Sequence, residues 1–381
     1  MRILHFCPHS GGVMYEWHQV HFLDELKRSG HKITDCNPVE VLKRVGTAGE
    51  YSNILVDAAK NILNDPGPHI LFATATDSTL EPGAVDYIRK LGMICINLSV
   101  DDLVVPFQVR KIGAHFDLHW TTFIGADKHL KKYGCNVIYM PMAANPYFFK
   151  PYHKRRSHIL CFVGSRYGAR ISYLAALIKA GLPVKIRGAG WLEGSISNSK
   201  AKGMRSSIIN FKQLRMAGEF MRLATGRKII LGWHKKQIGD MLGKYDTSVG
   251  EDWDASGPLA TFEEMVDLYS SCTVSLGILE AGNTYTLKKP LVYYRLRDFE
   301  APMIGCAHIV RRVPELEQCF TEAKEMIFYD SIDDCIDKAK FYLAPRNYEL
   351  CISIGERARK RAETEHTWTN RFNKMTEYLN L

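Results

Sequence analysis

The 381-residue chain lacks any apolar run near the roughly 18–20 residues that a membrane-spanning helix needs. Its ten cysteines include no CxxC pair and lie scattered among apolar residues, as reduced core thiols of a cytosolic protein do. Disulfide scaffolds and cysteine-based zinc sites are thereby set aside. The opening MRILHFCPHSGG has too short an apolar stretch for a signal peptide and reads as a buried first strand. No zinc-finger or RNP-type signature is present, so nucleic acid is not the expected partner. No DxD motif stands on a suitable strand-end loop. Asp252-Trp253-Asp254 has the spacing but falls inside an insertion. With 46% hydrophobic and 24% charged residues, 29 glycines and 15 prolines, collagen-like and wholly disordered chains are excluded too.

What is present is an alternation of short apolar runs and helical stretches, the pattern of parallel strands joined by crossover helices. Strands are expected at Arg2–Cys7, His31–Thr34, His69–Ala73, Met93–Leu98, Leu118–Thr121 and Val137–Met140, with helices at about Tyr15–Ser29, Gly83–Leu91 and Lys128–Tyr133. NPYFFKPYHKRRSH then reads as a linker. A second series runs through strands at His158–Val163, Val184–Arg187, Thr273–Gly277, His308–Arg311 and Met326–Tyr329. The expected class is α/β, with two doubly wound domains facing a cleft. The expected boundaries are an N-terminal domain over 1–150, a C-terminal domain over 151–364 with an insertion at about 192–257, and a closing helix over 365–381 that returns to the first domain.

The net charge of +9 is concentrated. Between Lys200 and Lys236 there are ten Lys/Arg and one acid, Glu219, and the rest of the chain balances to zero. On a helix, Ile209, Met216, Phe220 and Leu223 fall within about 60° of arc, beside Arg205, Lys212, Arg215 and Arg222. Such a face suits an anionic membrane surface, or a solvated face of its own domain.

Ligands of open parallel sheets sit at the carboxyl ends of the strands, where helix N-termini offer N–H groups to anions. Gly11-Gly12 follows the first strand and admits close backbone approach. LCFVGSRYGAR ends a strand in Gly164-Ser165 and places Arg166 and Arg170 four apart at a helix start, a diphosphate site that needs no metal. In YYRLRDFEAPMIGC, Glu300 precedes Gly305 by five residues; a carboxylate there can hold ribose hydroxyls, and Arg297 can pair with phosphate. Lys288 is a weaker candidate. Asp77, Asp101 and Asp102, at strand ends of the first domain, are the candidate catalytic bases, with His18 as an alternative. His115 and His119 have the spacing of a helical ligand pair but no third ligand nearby, so no metal is expected.

GSRYGAR with GAGW downstream, then RLRDFEAPM, VPEL and EHTWTNRF, together with PHSGG, VDD and MPMAANPYFFKP, resemble the CgeB-type glycosyltransferases, named after a spore maturation protein. The resemblance covers most of both domains. It implies a GT-B fold and transfer of a sugar from a nucleotide diphosphate-sugar to an acceptor hydroxyl of a glycan or lipid-linked acceptor. It also implies no cofactor or metal. The scattered thiols point to cytoplasmic placement, and the basic segment at 200–236 to peripheral attachment at the inner face of the membrane. Two departures stand out. Ala301-Pro302-Met303-Ile304-Gly305-Cys306 lacks the second glycine of the related pattern, and about 65 residues separate Trp191 from Pro258. An epimerase or phosphorylase of the same layout, and a non-catalytic basic binding protein for lipid or nucleic acid, are the alternatives.

Overall fold

The computed structural model describes residues 1–11, 16–153, 155–191, 211–242, 257 and 260–381. Two compact units result: Met1–Asn145 with Trp368–Leu381 (unit 1), and Pro146–Thr367 (unit 2).

Unit 1 holds β1 (Arg2–Phe6), β2 (Lys32–Cys36), β3 (His69–Ala73), β4 (Ile94–Ser99), β5 (Leu118–Thr121) and β6 (Val137–Tyr139), all parallel, in the order β2-β1-β3-β4-β5-β6. β1, β3 and β4 are buried almost throughout, which is why they read as continuous apolar runs rather than as alternating ones. The strand order reverses between β1 and β3, the position where such sheets open for ligands. The helix expected at about Tyr15–Ser29 is a π-helical turn, His18–Leu23, running into an α-helix, Asp24–Arg28.

A helix over Ala48–Ile62 lies outside the expected alternation. A reciprocal capping box starts it: the Thr47 hydroxyl accepts from Glu50 N, and the Glu50 carboxylate accepts from Thr47 N at 2.8 Å. Its apolar face, with Tyr51, Leu55, Ala59 and Ile62, joins the core formed with Leu4, Phe6 and Leu71.

The last helix, Trp368–Tyr378, belongs to unit 1. Buried Glu25 caps it by accepting from Trp368 N (3.2 Å) and Thr369 N (2.6 Å), and the Trp368 indole donates to His21 Nδ1 at 2.9 Å. Arg371, also buried, donates to the carbonyls of Pro141 (2.8 Å) and Met142 (3.1 Å). A buried carboxylate at a helix N-terminus and a buried guanidinium on free carbonyls each satisfy groups that would otherwise be orphaned.

Unit 2 holds β7 (Ser157–Val163), β8 (Val184–Arg187), β9 (Cys272–Gly277), β10 (Ala307–Arg311) and β11 (Ile327–Tyr329), all parallel, in the order β11-β10-β9-β7-β8. Here the order reverses between β7 and β9. The helix Tyr348–Glu365 ends at His366-Thr367, so the closing helix expected over 365–381 begins at Trp368. Of the basic helix expected over residues 205–223, Arg205 and Ile209 lie outside the described residues. The described part is Phe211–Arg222, and Leu223 turns extended as the N-cap of a second helix, Ala224–Met241. All ten cysteines are free and buried.

Candidate functional site: two strand-end clusters

In unit 2 the turn after β7 is stitched to the turn after β8. Gly164 N donates to Arg187 O (2.8 Å), Arg166 N to Ala189 O (2.9 Å) and the Trp191 indole to Gly164 O (2.6 Å). Gly188 has φ +150°, and a Cβ on it would overlap the Gly164 carbonyl. A Cβ on Gly168 (φ +58°) would overlap the Gly282 carbonyl. These two glycines let three strand-end loops meet. Ser165 is exposed at the rim.

Arg170, the second residue of the helix Ala169–Lys179, is only 6% exposed. Its Nη1 donates to Ser165 O at 2.9 Å, and its guanidinium lies 4.1 Å from the Tyr167 ring centre. Burial, with the neighbouring cations Arg297 and Arg295, pushes its pKa down to about 10. Arg295 lies over the Tyr293 ring at 3.8 Å, and its buried Nε has no partner among the described residues. Three guanidinium groups thus converge from two segments more than 120 residues apart in sequence. Asp298 is a counter-charge to this group, and a gathering of guanidinium groups in a partly buried place is chemically able to hold an anion.

The start of the helix Arg297–Met303 is fixed by a buried relay. Asp298 accepts from Arg295 N (2.6 Å) and from His308 Nε2 (3.0 Å), and His308 Nδ1 accepts from Ser275 Oγ (2.8 Å). Gly277 leaves room for it, since a Cβ there would come within 2.8 Å of Asp298 Oδ1. The relay ties β9 and β10 to the segment carrying Arg295, Arg297 and Glu300. Glu300 is 2% exposed on that helix. Nearby, Glu280 accepts from Tyr173 OH at 2.8 Å and pairs with Arg311 at 3.5 Å.

Gly305 follows that helix. Its φ of +75° ends the Arg297–Met303 helix, and its carbonyl lies so close to Gly355 that a Cβ there would overlap it. Its freedom serves backbone packing against Gly355. Lys288 is exposed on the chain after the Gly282–Thr286 turn.

In unit 1 the strand ends carry acids and hydroxyls. A cavity of about 140 Å³ opens at the carboxyl ends of β3 and β4, walled by Thr74, Thr76, Ser99, Asp101 and Asp102 and by apolar residues including Leu98 and Val109. The Asn97 amide bridges both strand ends, accepting from Ala75 N (2.9 Å) and donating to Ala75 O (3.1 Å). Asp102 is 3% exposed, and its Oδ2 accepts from His119 Nε2 at 3.2 Å. Asp101 is exposed at the mouth.

Asp77 is differently employed. Both carboxylate oxygens accept from Lys111 N and Oδ1 also from Ile112 N, at 3.0–3.2 Å. Burial raises its pKa against those bonds. It braces the 111–112 turn. Gly11 has φ +87° with open space around it, and Gly12 lies outside the described residues, as do Asp252-Trp253-Asp254. His115 pairs with Asp86 (2.9 Å) and His119 with Asp102, so the two histidines face different partners.

A buried chain that the sequence did not reveal runs behind β1. Cys7 Sγ donates to His18 Nε2 (3.1 Å), His18 Nδ1 to His5 Nε2 (3.1 Å), and His5 Nδ1 to Asp35 (2.8 Å). Burial pushes the Cys7 thiol up to about 12 and His18 well below the ordinary imidazole value. His18 therefore serves packing and this chain, as a neutral ring.

Residues 241–377 match the family described as Glycosyl transferase-like. Among curated protein sequences none matches the chain. Among solved structures it is similar to a sucrose-phosphate synthase of Thermosynechococcus elongatus (TM-score 0.54, 12% identity, covering 100% of this chain and 98% of that one). It is also similar to a glycosyltransferase of Rickettsia africae (0.56, 10%, 99% and 97%). A third is HepE of Anabaena, solved with UDP and glucose (0.56, 8%, 100% and 99%). At such identities the likeness speaks for the fold. The chain thus has the GT-B fold, and about a third of it, residues 241–377, is similar in sequence to a family described as Glycosyl transferase-like.

Proposed function

We propose that the chain transfers a sugar from a nucleotide diphosphate-sugar to an acceptor hydroxyl, as a CgeB-like enzyme of cell-surface polysaccharide or glycan synthesis. The observation that carries this is the Arg170, Arg295 and Arg297 cluster behind the Gly164-Ser165 turn, in a region that belongs in part to a glycosyl transferase-like match. HepE, of the same fold, was solved with UDP-glucose.

In the reaction the bond between the sugar's anomeric carbon and the diphosphate oxygen breaks, and one to the acceptor oxygen forms. The nucleoside diphosphate leaves, and the acceptor hydroxyl loses its proton. Arg166, Arg170 and Arg297 take up the charge developing on the leaving diphosphate, a role cations fill without a metal. Gly164 and Ser165 line the approach. Glu300 accepts from the ribose hydroxyls. In an inverting reaction Asp102, aligned by His119, receives the acceptor's proton, with Asp101 beside it. Gly11 borders the strand end of β1 and admits the donor there.

Peripheral attachment to an anionic membrane fits the outer face of the helix Ala224–Met241. Among the described residues no helix is long and apolar enough to cross a membrane. Leu231, Ile238, Met241 and Leu242 are all more than half exposed, within about 100° of arc, flanked by Arg227 and Lys235. Gly226, Gly232 and Gly239 form buried positions of the helix, and a Cβ on Gly232 would come within 2.8 Å of Asn283 O. Flotation with phosphatidylcholine vesicles, with and without phosphatidylglycerol, tests this. No flotation with either vesicle would remove the membrane from the reading, and binding that does not require the anionic lipid, or that survives Ile238→Ser with Arg227→Ser, would remove this basic and apolar face as its cause.

Calorimetric titration with UDP, GDP, CMP and dTDP, each with and without EDTA, tests the transferase itself. One nucleotide binding despite chelator, and lost in Arg170→Met, is the expected outcome and names the donor class. Binding by none would turn the reading to a non-catalytic basic protein.

A further inference from the structure

The helix Ala224–Met241 lies in the insertion between Trp191 and Pro258, yet it meets the rest of unit 2 main chain to main chain. Glycine inside a helix is less favourable than alanine, so Gly232 in the middle of this one calls for a reason. A Cβ on it would come within 2.8 Å of Asn283 O and 2.9 Å of Thr284 Cα. The glycine thus lets the helix settle on the Gly282–Thr286 turn. One hydroxyl pins the contact: buried Thr286 donates to Gly232 O at 3.3 Å, shared with Asn283 O at 2.9 Å.

The same turn touches both arms of the arginine cluster. On one side its Gly282 carbonyl lies where a Cβ on Gly168 would fall, and Gly168 is the N-cap of the helix that carries Arg170. On the other side fully buried Thr284 accepts from Leu291 N at 3.2 Å and donates to Ala281 O at 2.7 Å. Ala281 N donates to Leu291 O at 2.8 Å and Tyr293 N to Leu279 O at 3.3 Å, which ties the turn to the segment leading into Arg295. A contact between side chains yields by a change of rotamer, whereas close-packed main chain does not. Two such glycine contacts in series, Gly232 on Asn283 and Gly168 on Gly282, pass a shift of the helix on to Arg170.

We propose that the insertion helix is a positioning element of the diphosphate site: through Gly232 and Thr286 it holds the Gly282–Thr286 turn, and the turn holds the N-cap of the Arg170 helix. Gly232 and Thr286 are positioning residues, since they act on the anion only through Arg170. The role of that arginine rests on the transferase reading; the mechanical connection does not. A helix that served only as an outer surface would leave nucleotide affinity alone.

Calorimetry of the full chain with UDP, GDP, CMP and dTDP, joined to amide exchange without nucleotide, tests this. Gly232→Ala improves helix propensity, yet it is expected to weaken the nucleotide that binds by roughly threefold to tenfold, less than Arg170→Met does. It is also expected to speed exchange across residues 164–173 and 282–295. Thr286→Val should weaken binding severalfold and Thr286→Ser less, and this pair serves should the Gly232 variant fail to fold. Gln237→Ala, exposed on the same helix, should bind as wild type does. In an Arg170→Met background the loss from Gly232→Ala should shrink, because the two changes act on one contact. Wild-type affinity in both Gly232→Ala and Thr286→Val, or an undiminished loss in the Arg170→Met background, would overturn the proposal. Should wild type bind no nucleotide, faster exchange at 164–173 in Gly232→Ala would leave the connection standing and bring down the transferase reading; unchanged exchange there would bring down both.

Discussion

At the carboxyl ends of β7 and β9 the side chains are guanidinium groups, and at the carboxyl ends of β3 and β4 they are carboxylates and hydroxyls. Both places sit beside the strand-order reversal of an all-parallel sheet, so the backbone offers both much the same thing. In unit 2 the arginines add to the positive ends of the following helices and make an anion site. In unit 1 Asp101 and Asp102 oppose that field, which leaves a place for neutral hydroxyls and a proton acceptor. The sheet sets where chemistry can happen; the loop side chains set its sign.

The comparison can be broken or sharpened experimentally, and the largest effects are structural. Trp368→Ala is expected to cost about 3–5 kcal/mol, with the loss read as faster amide exchange in unit 1, where this 1%-exposed indole packs and donates to His21. Equal loosening of unit 2 would contradict the assignment of the last helix. In unit 2, Gly188→Ala places a Cβ on the Gly164 carbonyl and is expected to cost about 3 kcal/mol. Gly11→Ala in unit 1 meets nothing and should cost only the left-handed φ, about 1 kcal/mol. Thermal unfolding of the two variants checks the ranking.

Binding effects come next. Arg170→Met should reduce nucleoside diphosphate affinity roughly tenfold to a hundredfold, as calorimetry would show. Glu300→Gln should lower the preference for ribo- over 2′-deoxyribonucleotides by roughly tenfold. An unchanged ratio would separate Glu300 from the ribose.

The smallest expected effect is on the pH dependence of unit 1. Burial, then the neighbouring His5, His9 and His21, lowers the His18 pKa, so the folded ring stays neutral where the unfolded one takes a proton. Stability from this group is therefore complete above the ordinary imidazole value of about 6.5 and falls below it, by at most about 1.4 kcal/mol per pH unit. Denaturation curves of wild type and His18→Gln between pH 7 and 5 should diverge accordingly. Parallel curves would remove His18 as the cause.

β1, β3 and β4 were legible because doubly covered strands are largely apolar, as in HILFA, whereas the edge strand β2, KITDC, is mostly exposed. The Ala48–Ile62 helix escaped that reading although its start is written in Thr47-Ala48-Gly49-Glu50, a capping box. Arg166 and Arg170 could be read from one strand–turn–helix segment. Arg295 could not be paired with them, and neither the Ser275–His308–Asp298 relay nor the Cys7–His18–His5–Asp35 chain could be seen, because each draws its members from separate strands.

Local order in the chain, then, determined the class of the fold, the strand positions and the single-segment Gly-Ser-Arg turn, since hydrophobic period, capping and φ freedom act over a few neighbouring residues. Only the tertiary structure decided that Asp77 braces a turn while Asp102 faces a cavity, that Gly305 serves helix packing, and that three arginines share one place. Those outcomes depend on which strands lie side by side, and the long crossover connections of parallel sheets place residues together that the sequence holds far apart.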